Sequence, residues 1–121
     1  MKFKKEQIDY YIEKASFLAK VYEQQYQELY LLGDYLTEDI ANDWTVHDIS
    51  LLEEMFEHKY VSYKTIELYK EITSNFVEVS RNGMSFDDSI WTLRALKEHT
   101  FWTRQRFLAK KLLAELEKVN N

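Results

Sequence analysis

Arg94 and His99, with four residues between them, are the pair in this chain whose types and spacing suit phosphoryl chemistry. A guanidinium holds a phosphate through a fork of donors, and an imidazole exchanges a proton near neutral pH. Glu98 stands four residues after Arg94, the spacing at which two side chains pair on one helix face. That pair reads either as a satisfied ion pair at the edge of a core or as a polar pocket inside a bundle. The first reading leads, because structural ion pairs take the same form. On an uninterrupted helix Arg94 and His99 point about 140° apart.

The Arg-x4-His spacing resembles the catalytic motif of the HEPN ribonucleases, which are small all-helical domains. Phe101 stands where that family often carries an aromatic residue, whereas Ala95 follows the arginine where the family usually has a polar group. The resemblance covers eight residues. It implies that Arg94 holds the phosphate and that His99 serves in acid–base catalysis. This is the enzymatic alternative to a non-enzymatic reading.

Other chemistries find little support. A carboxylate-bridged metal site needs Glu-x-x-His on two helices. Glu54, Glu57 and His58 cluster, but Met55 occupies the position that needs a glutamate, and His47 is three turns from His58. The chain has no cysteine, so it has no thiolate ligand, cysteine nucleophile or disulfide. It shows no glycine-rich phosphate loop and no nucleophile elbow. No metal and no cofactor are expected.

Charge is distributed unevenly. Residues 21–58 carry ten acids and no Lys or Arg, within a net charge of −5. Residues 89–114 carry six cations against the single acid Glu98, and Lys97, Arg104 and Lys111 recur every seven residues as one stripe. The two regions face each other or face partners. An acidic surface suits a basic protein partner, since complementary charge gives rate and specificity. A basic helix face suits phosphates, and aromatics beside it would stack on bases. Trp91, Phe101 and Trp102 fall on the apolar arc of the same segment, which assigns them to the core and leaves the stripe without stacking. A protein partner or self-association therefore leads, with nucleic acid as the alternative.

The elements that must position these residues are helical. The chain has no proline and two glycines, too few for the turns of a strand-rich fold. The expected fold is all-α, a single compact bundle of about four helices over residues 1–121, with long first and last helices. The first helix is predicted from Lys4 to Leu32, ended by Gly33. It buries Ile8, Tyr11, Ala15 and Leu18 and leaves Tyr10, Phe17 and Val21 as a second row suited to an interface. Thr37 caps a short turn through Asn42, and Trp44 anchors the connection. Thr45 opens a second helix to Tyr60 that buries Ile49, Leu52, Met55 and Phe56. Ser62 restarts a third over Tyr63–Arg81, which buries Ile66, Leu68, Tyr69, Ile72, Phe76, Val77 and Val79 before Asn82-Gly83 closes it. Whether residues 46–81 are one kinked helix or two is open, because no Gly or Pro marks a break. Ser85 caps a final helix to Val119 with about 33 residues, spanning roughly 50 Å. The N-terminus carries no signal peptide and no stretch is long enough to span a membrane. Together these features point to a small cytoplasmic binding or regulatory protein with Tyr10, Phe17, Val21, Lys97, Arg104 and Lys111 as its contact residues.

Overall fold

The computed structural model describes residues 5–20, 37–45, 49–80 and 88–118. The fold is an all-α bundle, with no strand among the described residues. Its helices are α1 (Lys5–Ala19), α2 (Thr37–Thr45), α3 (Ser50–Glu57), α4 (Tyr63–Val79), α5 (Leu93–Glu98) and α6 (Thr100–Glu117), with a 3-10 turn over Asp88–Trp91 before α5. Helix α6 is the centre of the bundle. It packs most extensively on α1 and next on α4, while α2 and α3 lean on α4 and α5 leans on α6. The buried faces follow the three-and-four spacing of packed helices: Ile8, Tyr11, Ala15 and Leu18 on α1, and Tyr69, Ile72 and Phe76 on α4. On α6 they are Trp102, Gln105, Ala109, Leu112 and Leu116.

The expected continuous last helix is broken twice, and a side chain causes each break. Thr92 has extended backbone (φ −104, ψ 161) and its hydroxyl accepts the Ala95 N–H, which starts α5. His99 is also extended (φ −76, ψ 135), and its Nδ1 accepts the Phe101 N–H at 3.0 Å to start α6. Both satisfy helix-start donors that would otherwise be orphaned. The break changes the rotation of the chain, so Leu96, which lay off the apolar arc of a continuous helix, is fully buried. It also turns the chain so that the Trp102 Nε1–H donates to the Ile90 carbonyl at 2.7 Å. The six residues of α5 hold their shape through packing on α6, since so short a helix has little stability of its own.

Residues 50–79 form two helices. Lys59 makes the break, with φ at 61, and the Tyr60 N–H donates to Met55 O (2.7 Å) while the Lys59 N–H donates to Phe56 O (2.9 Å). That paired pattern is a Schellman motif with lysine where glycine is usual. A β-carbon in the left-handed region costs about 1–2 kcal/mol. Lys59→Gly is therefore expected to stabilise the fold by about 1 kcal/mol, after the glycine's extra chain entropy is deducted. Denaturant unfolding checks this, and an unchanged or lowered midpoint would contradict it.

Helix α4 starts where the sequence places it, with the Ser62 Oγ accepting the Thr65 N–H at 3.1 Å. The same hydroxyl donates to Glu115 Oε1 (2.9 Å), tying the start of α4 to the end of α6. Lys118, followed by Ser62, holds the Glu115 carboxyl below its ordinary range through hydrogen bonds.

Other boundaries differ from expectation. Helix α2 continues through Trp44 to Thr45, so Thr45 ends a helix instead of opening one. Helix α3 starts at Ser50 and ends at Glu57, three residues before the expected Tyr60. Phe56 is 38% exposed and Val77 51% exposed, although both were expected in the core. Val77 sits one residue, or 100°, past the buried Phe76 and so leaves the apolar strip. Phe56 lies against Tyr63, with ring centroids 5.7 Å apart, on the outside of the α3–α4 junction. Helix α1 ends at Ala19, inside the span expected as one helix to Leu32. Gly33, Asn82-Gly83 and Ser85 lie outside the described residues.

Candidate functional site

The outer face of α6 is fixed by what its inner face buries. Gln105 is fully buried, and its Oε1 accepts from Asn75 Nδ2 (3.0 Å) while its Nε2 donates to the Ile72 carbonyl (3.1 Å). A satisfied buried amide specifies one packing arrangement, because any rotation of α6 would orphan it. The Trp102 bond to Ile90 sets the same rotation from one turn earlier. Phe107, two residues after Gln105, is then held outward and is 56% exposed. The Lys111 Nζ lies 4.6 Å from the centroid of its ring. Arg104 and Lys110 are exposed on the same helix, so one face presents an aromatic ring among three cations. Arg104 Nη2 is 3.2 Å from Glu71 Oε1, a surface pair of small energetic weight. Lys110 and Lys111 form no ion pair among the described residues.

The sequence-based stripe is thus divided. Arg104 and Lys111 share α6, but Lys97 is on α5, across the break at His99. Phe107 and Lys110 are additions. The signal for Phe107 was available: it stands three residues after Arg104 and four before Lys111, inside the basic stripe and off the apolar arc. Trp91, Phe101 and Trp102 do belong to the core or pack on it.

The second expected contact row does not form one exposed strip among the described residues. Tyr10 is 40% exposed, whereas Phe17 packs against the core with the Lys20 Nζ 5.8 Å from its ring centroid. Val21 lies outside the described residues. A charge at position 17 would therefore perturb the fold as well as any interface.

Arg94 and His99 line one shallow cleft of about 300 Å³, together with Ser89, Thr92, Ala95 and Glu98. The break at His99 brings both residues to it. Arg94 Nε donates to Glu98 Oε2 at 3.2 Å, and the Arg94 side chain is 87% exposed, so the two residues do pair, but on the surface and neither at the edge of the core nor in a pocket inside the bundle. His99 has a structural task. Because its Nδ1 accepts the Phe101 N–H, a neutral ring carries its proton on Nε2. His99→Ala is expected to cost about 1 kcal/mol through the lost cap, whereas His99→Asn keeps an acceptor and stays close to the parent stability. Thermal unfolding of the two variants separates them, and equal losses would contradict the capping role.

A cluster that the sequence reading did not single out surrounds Lys14. Its Nζ donates to the Tyr69 hydroxyl at 2.7 Å and lies 4.8 Å from the Trp44 ring centroid, 5.1 Å from that of Tyr69 and 5.5 Å from that of Tyr10. Burial pushes the amine down to about 8, against the pull of the Asp43 carboxylate. Burial first, then Tyr11 and Tyr10, raises the Tyr69 phenol well above its ordinary value. Tyr10 is raised for the same first reason and then by Asp43. The signal was present on α1, since the helical neighbours of Lys14 are Tyr10, Tyr11, Phe17 and Leu18. A lysine flanked only by apolar and aromatic side chains cannot keep its full hydration.

Among the described residues no three His, Asp or Glu side chains form a group that could hold a metal ion, and no helix is long and apolar enough to cross a membrane. No protein-family model, no curated protein and no solved structure matches the chain.

Proposed function

We propose that this chain is a non-enzymatic binding protein whose α6 outer face holds an acidic segment of a protein partner. The observation that carries this reading is Phe107, more than half exposed among Arg104, Lys110 and Lys111 on a helix whose rotation is fixed. Covering the half of its side chain that is still exposed contributes about 1–1.5 kcal/mol. Cations around it select a negatively charged occupant and speed its approach. A protein segment fits better than a nucleic acid, because the chain's net charge of −5 opposes a long polyanion while three cations suffice for a short acidic one. A cytoplasmic location and a regulatory role go with this reading, and the cysteine-free sequence fits the first of them.

Calorimetric titration tests the reading, with a glutamate-rich peptide bearing a central leucine and a single-stranded oligonucleotide of equal length as probes. Peptide binding that is lost on changing Phe107 supports it. Preference for the oligonucleotide would replace the partner with a nucleic acid. Dilution-dependent mass abolished by Phe107→Glu would replace it with a second copy of this chain.

A ribonuclease is the second reading, supported by the shared cleft of Arg94 and His99. His99→Asn is its test, since that change spares the cap and removes the proton exchange. RNA cleavage that the parent performs and this variant does not would establish catalysis.

A further inference from the structure

We propose that Lys14 is a modification site, the lysine most readily acylated by thioesters among the described residues. Three helices build the site: α1 supplies Lys14 and Tyr10, α2 supplies Trp44, and α4 supplies Tyr69. The rings displace water from the amine, and among the described residues its hydrogen bond goes to a neutral phenol. Burial of this kind weakens the hold of an ammonium on its proton, and the amine falls to about 8. The Tyr69 phenol keeps its own proton more firmly than usual, so it does not become a phenolate that would hold the ammonium charged. A substantial fraction of Lys14 is then a neutral nucleophile at pH near 7.5, where an ordinary lysine is almost wholly protonated.

The site is half-open, with Tyr10 exposed at its outer wall. Its apolar lining and the nearby Asp43 carboxylate favour a neutral thioester carbonyl over an anionic acyl phosphate. In the reaction the Nζ lone pair attacks the thioester carbonyl carbon. The C–S bond breaks, the thiolate leaves with the electron pair, and the nitrogen releases a proton as the amide forms. The product has no positive charge, so its attraction to the three rings is lost and the junction of α1, α2 and α4 loosens.

The test is limited acylation of the intact chain by a small S-acetyl thioester at pH near 7.5, followed by mass mapping of every lysine. Lys14 is expected to react roughly tenfold faster than exposed Lys64, Lys97 and Lys110, the larger neutral fraction outweighing its lower intrinsic nucleophilicity. The advantage should vanish in denaturant and persist in Tyr69→Phe, which keeps the ring. Trp44 emission should change as Lys14 is consumed, and Lys14→Arg should abolish that change. A Lys14 rate equal to or below that of the exposed lysines would overturn the proposal. So would an advantage that survives unfolding, because the enclosure would then have no part in it.

Discussion

Trp102→Ala is expected to cost about 3–5 kcal/mol, the range for a fully buried large aromatic, and so to remove a large fraction of a domain's stability. Trp102 is fully buried at the first turn of α6, and its ring meets Phe76 at 5.7 Å, Trp91 at 6.0 Å and Phe101 at 5.4 Å between centroids. Truncation removes those contacts and leaves a cavity where α4, α6 and the 3-10 turn meet. It also strands the Ile90 carbonyl, which accepts the indole N–H. Trp102→Phe separates the two effects. It keeps most of the packing but loses the hydrogen bond, for an expected cost of about 1–3 kcal/mol. Denaturant unfolding of both variants is the measurement. A loss below about 1 kcal/mol for the alanine variant would contradict the placement of Trp102 as the anchor of α6.

The second large effect is on binding. Phe107→Ala is expected to weaken the acidic-peptide complex by roughly fivefold to tenfold, the equivalent of about 1–1.4 kcal/mol of lost apolar burial. Phe107→Glu with Lys111→Glu adds repulsion to the lost contact and should abolish binding. Fold stability should stay within about 0.5 kcal/mol in both cases, because the side chains lie outside the core. A polyanion-type contact would behave differently. Lys110→Ala and Lys111→Ala would then carry most of the loss, with a steep dependence on salt. Phe107→Ala with unchanged affinity would remove the aromatic from the account.

The class of the fold was legible because composition and periodicity both report it. The near absence of glycine and proline, with apolar residues at three-and-four spacing in α1 and α4, admits only helices. The α4 start was legible from Ser62, a residue whose side chain makes the cap. The breaks among the described residues are harder to read because none of them uses glycine or proline. Lys59 takes a left-handed conformation with an ordinary side chain, held there by two capping hydrogen bonds. His99 acts as a cap although histidine is not among the usual cap residues. The apolar arc did carry a trace of that break, since after Ala95 the positions three and four later hold Glu98 and His99 in place of core residues.

The site was half legible for the same reason. Arg104 and Lys111 could be found by their seven-residue spacing, because both stand on one unbroken helix. Lys97 could be assigned to that stripe only if the helix ran on through His99. Phe107 lies off the apolar arc and inside that stripe, so its outward position is legible from spacing, while the rotation that holds it there depends on Gln105 and Trp102. The Lys14 cluster needed tertiary structure, since Trp44 and Tyr69 come from helices distant in sequence. Only its apolar and aromatic neighbours on α1 give a local signal.

Chemical-shift mapping is the most direct measurement of the central claim. Isotope-labelled protein would be titrated with the acidic, leucine-bearing peptide at moderate salt. The largest shifts are expected at Arg104, Phe107, Lys110 and Lys111, with the buried residues of α6 little changed. Shifts centred on Arg94 and His99, or none on α6, would contradict it.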